Sequence, residues 1–249
     1  MSHPRLHDSL QELYSARSSE LLKLCLEHPA FLQFEKQNDI NVPVQELVQA
    51  FTHTSFAHEY DVPHQEQLEF LGDSVLQMIL TEELFNRFPK EAEGKLSKMR
   101  STLVNEKSLA LIARHLGLSD LLLVGKGEFK KELYAMDTVL ADTVEAVLAQ
   151  IYRHMGMPKT RSIFLGWLEQ TIPQVWKFEN FENFDPKSQL QEKSLARYKK
   201  LPQYAAEARG DKFLVKLWIN EELVSEGLFS SKKTGEKELA AEFLKSGMI

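Results

Sequence analysis

Glu66, Glu69 and Asp73 in the stretch EQLEFLGDSVLQ, residues 66–77, fall three and four residues apart. On a helix that spacing stacks the carboxylates on one face, where like charges repel. Leu68, Leu71, Val75 and Leu76 of the same stretch are core-type residues, so the acids are pressed against apolar surface. LADTVEAVLAQ repeats the pattern, with Asp142 and Glu145 three residues apart among Leu140, Val144, Val147 and Leu148. Two helices that cross at these points would bring Glu69, Asp73, Asp142 and Glu145 together. Oxygen ligands without histidine or cysteine favour Mg2+, or Mn2+ in its place, over zinc. Such ions suit phosphodiester hydrolysis, because they activate a water, bind the non-bridging oxygens and stabilise the leaving alkoxide.

Acids spaced in this way more commonly form a solvated helix face. Two features argue otherwise here. No run of lysines follows four residues on to pair with them, and Gly72 sits inside the first acidic helix. A glycine there costs ~1 kcal/mol against alanine, which a close approach of another backbone or side chain would explain.

The elements that must hold these acids read as helices. Between Val44 and Met155 the chain runs through VQELVQAFTHTSF, EQLEFLGDSVLQMILTEELFNRF, KLSKMRSTLV, EKSLALIARHLG and DTVLADTVEAVLAQIYRHMG, each amphipathic at helical period. Pro89 ends the second, Asn105 can cap the fourth, and Gly117 and Gly156 stand where helix C-termini use glycine. Leucines at helical spacing in the first 35 residues, interrupted by Pro29, predict a helical extension over residues 1–34 with no evident chemistry. The helical domain then occupies residues 35–175, and a linker residues 176–185. Phe178, Phe181 and Phe184 of that region recur every three residues, a spacing that suits packing on a domain better than stacking on bases.

Residues 186–249 change character. SQLQEKSLARYKK reads as a helix; PQYAAEA, KFLVKLWI and ELVSEGLF alternate as strands joined by Gly210-Asp211 and by Asn220-Glu221-Glu222; SSKKTGEKELAAEFLK closes as a helix. The predicted class is α+β, an all-helical domain followed by a small α-β-β-β-α domain.

Composition bounds what this chain can do. With 249 residues, 43% hydrophobic and 27% charged, it can build a sizeable core. Cys25 is the single cysteine, which excludes an internal disulfide or a cysteine zinc site. No apolar run approaches the ~18 residues of a membrane span, so a cytoplasmic protein with no membrane partner is expected. A net charge of −6 speaks at first against a polyanionic partner. It is unevenly spread: residues 185–249 carry 12 Lys/Arg against 10 Asp/Glu, and residues 1–184 carry 18 against 26. An acidic pocket can still meet phosphate when divalent ions lie between them.

Taken together, these motifs resemble a known family. EQLEFLGDSVL resembles the signature of the ribonuclease III family and ADTVEA its second signature; HTS at 53–55, EGKLSKMRSTLV and GKGE at 125–128 follow in the family's order. The resemblance runs from about residue 35 to the C-terminus. It implies that Glu69, Asp73, Asp142 and Glu145 are the metal-binding catalytic carboxylates, with Glu66 and Glu93 as cleft acids contacting substrate or supporting the ligands. It implies that Phe70 enters a socket on a partner subunit, that the enzyme is a homodimer with one site per strand, and that double-stranded RNA is cut. The products would carry 5′ phosphates, 3′ hydroxyls and short 3′ overhangs, in RNA processing that includes ribosomal RNA. Gln67 departs from the family, which often has arginine there.

The C-terminal unit resembles a double-stranded RNA-binding domain. The resemblance places Gln191 and Glu192 on a helix facing a minor groove, and Ser231, Lys232 and Lys233 at the start of the last helix. A helix N-terminus with two ammonium groups suits phosphate. Three departures stand out. RGDK at 209–212 is a near-minimal hairpin where the family has a longer loop reaching a second minor groove, Phe229 stands where glycine is common, and Leu195 replaces a polar contact. Weakened RNA binding is therefore expected. GKGEFKKE at 125–132 lacks the ending of a nucleotide-cradling loop and reads as an ordinary loop carrying Lys126, Lys130 and Lys131. His53, His58 and His64 lack a metal-protease spacing. Two other classes fit less well: a non-catalytic RNA-binding scaffold, and a phosphohydrolase of small nucleotides, which leaves residues 186–249 without a purpose.

Overall fold

The computed structural model describes Lys23, residues 27–177 and residues 186–247. Cys25, Phe178, Phe181 and Phe184 lie outside the described residues, as does most of the chain before residue 27. Two compact units divide between Lys177 and Phe178.

The first unit is helical. Helix α1 spans Pro29–Asn38, and Pro29, at its start, has no N–H to leave unpaired there. Glu27 is helical and His28 is not, so the helical pattern breaks just before Pro29 as expected and a new helix starts on it; the position between residues 34 and 35 falls inside that helix. Phe31 and Phe34 are buried edge-on against Phe51, with ring centroids 5.5 and 5.6 Å away. Next come α2 (Val44–Ala50), α3 (Thr54–Tyr60), α4 (Glu66–Arg87), α5 (Glu93–Val104), α6 (Glu106–His115), a short α7 (Lys126–Phe129), α8 (Asp137–Thr171) and a short α9 (Pro173–Trp176).

Nearly every residue of α8 from Val139 to Ile151 is buried. A helix apolar on all sides must be enclosed, and α4, α6 and α2 pack around it. Gln150 of α8, itself buried, donates from Nε2 to the Glu46 carbonyl of α2 at 2.7 Å. Gly156 breaks the helical path with φ 72 and ψ 169, a left-handed φ that favours glycine. The chain turns helical again directly after it, where the Thr160 hydroxyl donates to the Gly156 carbonyl at 2.8 Å. Asn105 caps α6 by accepting the Ser108 N–H at 3.0 Å, and Arg114 and His115 in its last turn suit the negative end of the helix dipole.

The second unit has the order α10 (Pro186–Tyr198), β1 (Gln203–Arg209), β2 (Lys212–Ile219), β3 (Glu222–Phe229) and α11 (Lys232–Lys245). The strands form an antiparallel sheet in the order β1-β2-β3. Arg209 pairs with Lys212, so the first hairpin turns on Gly210-Asp211 alone. The second turn is tighter than the sequence suggests: Glu222 already pairs with Ile219, leaving Asn220 and Glu221, both at positive φ, as the turn. Paired positive φ values fit the right-handed twist of a two-residue hairpin. Val215, Leu217 and Ile219 on one sheet face join Leu190, Leu239, Ala240 and Phe243 in a core that Phe229 packs against. The ring of Phe229 leaves no room beside it. A methyl on Gly235 would stand 2.6 Å from Phe229 Cδ2 and 2.5 Å from Val215 Cγ2.

Candidate active site

Helices α4 and α8 touch backbone to backbone at Gly72. A Cβ there would lie 1.9 Å from the Glu145 carbonyl oxygen and 2.9 Å from its Cα. This is the close approach that a glycine inside a strong helix suggests. It brings the two acidic lines together: one carboxylate oxygen each from Glu69, Asp142 and Glu145 lie within 4.8 Å of one another, all three residues half-buried.

Asp73, the fourth expected ligand, stands outside that group. It is exposed, and its Oδ1 accepts from Gln77 Nε2 one turn along the same helix at 3.3 Å. Its charge still reaches the cluster. Burial, and then the charges of Asp73, Asp142 and Glu69, push Glu145 up to about 8. Burial, then Asp142, Glu66 and Asp73, raise Glu69, while burial and then Glu106 raise Asp142. The charges named as raising these three groups are all carboxylates, so the site concentrates anionic character. Hard oxygen donors gathered in this way, without imidazole or thiolate, fit Mg2+ or Mn2+.

Glu66 and Glu93, expected as cleft acids, lie outside that group. Glu66 is exposed, with Oε2 3.8 Å from His64 Nδ1. Glu93 is exposed at the start of α5 and accepts from the Ser97 hydroxyl at 2.8 Å. Gln67, next to Glu66 in the chain, is exposed, and Lys126, Lys130 and Lys131 lie on the surface, with Lys131 3.1 Å from Glu128.

Phe70 is 79% exposed, although it belongs to the helix that bears the acids. Met78 at 57% and Phe85 at 66% follow it. At 100° per residue these three fall within roughly 80° of one another, an apolar stripe on the outer side of α4 that sequence reading reduced to Phe70 alone. Spacing could have revealed it, but α4 is apolar on its inner side too, which hides the stripe. Glu106 was also missed, since its relation to Asp142 exists only across helices.

In the second unit Ser231 caps α11 by accepting the Thr234 N–H at 3.1 Å. Lys232 and Lys233 follow it on the surface, with the Lys232 Nζ 5.8 Å above the Phe213 ring. Gln191 is half-buried and Glu192 exposed on α10, and Leu195, one turn on, is 49% exposed.

A family model described as Ribonuclease-III-like matches residues 45–172. Ribonuclease 3 of Idiomarina loihiensis is 40% identical over 183 residues, covering 73% of this chain and 77% of that protein. Ribonuclease 3 of Streptococcus uberis is 40% identical over 209 residues, covering 80% and 89% respectively. Among solved structures, the nuclease domain of ribonuclease III from Campylobacter jejuni aligns with a TM-score of 0.54 at 37% identity, covering 57% of this chain and 97% of that one. That domain shows structural flexibility in a region involved in dimer formation.

Proposed function

Since the chain belongs to the ribonuclease III family, we propose that it is a divalent-metal-dependent endoribonuclease that hydrolyses double-stranded RNA as a cytoplasmic homodimer. The observation that carries this reading is the meeting of the Glu69, Asp142 and Glu145 carboxylates from two helices within 4.8 Å.

Glu69, Asp142 and Glu145 would hold Mg2+, with Mn2+ as a substitute, and Asp73 would add its carboxylate from the exposed edge. When bound, the metal supplies Lewis-acid chemistry, polarising a water and the scissile phosphate. The three clustered acids fix where that charge sits and, being half-buried, shield it from bulk water. Glu66 and Glu93 would orient substrate or the ligands. Water adds to phosphorus, the bond from phosphorus to the 3′ oxygen breaks, and the proton ends on that oxygen. The products are a 5′ phosphate and a 3′ hydroxyl, with no covalent link to the protein.

A second copy of the chain would cover the Phe70, Met78 and Phe85 stripe. Two sites acting on opposite strands would leave short 3′ overhangs, in RNA processing. The C-terminal α-β-β-β-α unit would contribute duplex contacts through Gln191, Glu192, Ser231, Lys232 and Lys233. Incubating the protein with duplex RNA, single-stranded RNA and nucleotides, with and without Mg2+, tests the substrate class. Cleavage confined to duplex RNA with Mg2+ is expected, and Glu145→Gln should abolish it while preserving RNA binding. Wild-type cleavage by that variant would remove the acidic cluster from the reaction.

A further inference from the structure

Gln65 and Thr143 are polar side chains buried in the helical core, 3% and 0% exposed. Thr143 lies between Asp142 and Glu145 on α8, and Gln65 immediately precedes α4. The Gln65 carbonyl accepts the Glu69 N–H at 2.9 Å, and its own N–H donates to the Thr52 carbonyl at 3.0 Å. Gln65 thus anchors the first turn of the acidic helix to the loop behind it.

Its side chain reaches across to the other acidic helix. Thr143 Oγ1 lies 3.4 Å from Gln65 Oε1 and 2.7 Å from the Val139 carbonyl. A hydroxyl carries one proton, and the shorter contact claims it. Its oxygen can then accept from the Gln65 amide, whose oxygen and nitrogen exchange places by a flip. The Thr143 hydroxyl thus keeps the Val139 carbonyl and has Gln65 as a second partner across the two helices.

The place of this pair along α4 gives it meaning. The Gly72–Glu145 contact sets how closely the two helices approach, and the Gln65–Thr143 pair adds a polar contact nearer the start of α4 to their apolar packing. Glu69 lies between Gln65 and Gly72, which are about 10 Å apart along the helix axis. We propose that Gln65 and Thr143 are positioning residues, a polar clamp that works with the Gly72–Glu145 contact to set the crossing of α4 over α8 so that Glu69 faces Asp142 and Glu145. The clamp rests on the metal-binding role proposed for those acids.

The full-length protein tests it. Thr143→Val keeps the volume and removes the hydroxyl, Gln65→Met keeps the length and removes the amide, and Thr143→Ser restores the hydroxyl. The readouts are Mn2+ affinity by calorimetry without RNA, the Mg2+ concentration for half-maximal cleavage, and the melting temperature. Thr143→Val and Gln65→Met are each expected to weaken Mn2+ binding about fivefold, equivalent to about 1 kcal/mol, and to raise the half-maximal Mg2+ concentration in step. Thr143→Ser should stay within about twofold of wild type. Wild-type Mn2+ affinity in folded Thr143→Val and Gln65→Met overturns the clamp, even if melting falls, because the pair is then merely structural. Should Thr143→Val fail to fold, Gln65→Met decides from the opposite side. Glu145→Gln keeps the two ideas apart. Normal cleavage by it removes the metal site itself, whereas an inactive Glu145→Gln beside variants that bind Mn2+ normally removes the clamp alone.

Discussion

The carbonyl oxygen of Glu145 lies where a side chain on residue 72 would begin, 1.9 Å from a Cβ built on Gly72. The obstacle is backbone, so no rotation of a side chain can relieve it. Gly72→Ala must push α4 from α8 and separate Glu69 from its two partners. Overpacking of this kind costs ~1–3 kcal/mol in cores that can adjust. Here the expected loss is at the upper end, read as a lower melting temperature. Cleavage should fall further than stability does, with a higher Mg2+ requirement at temperatures where the variant is fully folded.

The exposed stripe of α4 predicts an assembly. Phe70→Ala removes a side chain that is 79% exposed, so the fold of one subunit should survive, with unchanged far-ultraviolet circular dichroism. A buried aromatic anchor contributes ~2 kcal/mol or more to an interface. Sedimentation equilibrium should show the dimer dissociating at concentrations where the wild type remains paired. Undiminished dimerisation would locate the subunit contact elsewhere.

The pH dependence of stability follows from Glu145. Its carboxyl titrates at about 8 in the folded chain against an ordinary 4.5, so between those values the native state holds a proton that the unfolded state has released. Stability from this group is therefore present below 4.5 and is lost as pH rises through about 8. The melting temperature of metal-free protein should fall across that window. Glu145→Gln should flatten the fall, and saturating Mg2+ should oppose it, since metal favours the ionised form and its binding releases protons.

Lys232→Ala/Lys233→Ala, placed in an inactive Glu145→Gln background, isolates the RNA contribution of α11. Duplex RNA should bind more weakly, with the salt dependence of log Kd reduced by ~1 per lysine. Fluorescence titration at several salt concentrations measures both. At equal salt, the two-residue turn at Gly210-Asp211 should leave this chain a weaker duplex binder than a relative with a longer first hairpin. Equal affinity would mean that the missing loop does not matter.

Much of this was legible along the chain because it is local. Asn105 caps α6 as its side chain and position indicate, and three alternating stretches form three neighbouring antiparallel strands. Where the sequence allows two local meanings, packing chooses between them. Pro29 stands at a break between Glu27, which is helical, and a new helix whose Phe31 and Phe34 are buried against Phe51. Glu222 can extend a turn or open a strand, and pairing with Ile219 selects the strand.

The sequence by itself determined which face of each helix bears acids, because 3.6 residues per turn sets the phase of every side chain. It also marked Gly72 as a place of close approach. Only the tertiary structure decided that Glu69 meets Asp142 and Glu145 while Asp73 turns along its own helix to Gln77. It alone revealed the buried bridge from Gln65 to Thr143, residues 78 positions apart. Helical period fixes directions within one segment. Where two segments cross is set by the fit of their surfaces, and that fit belongs to the pair, not to either stretch of sequence.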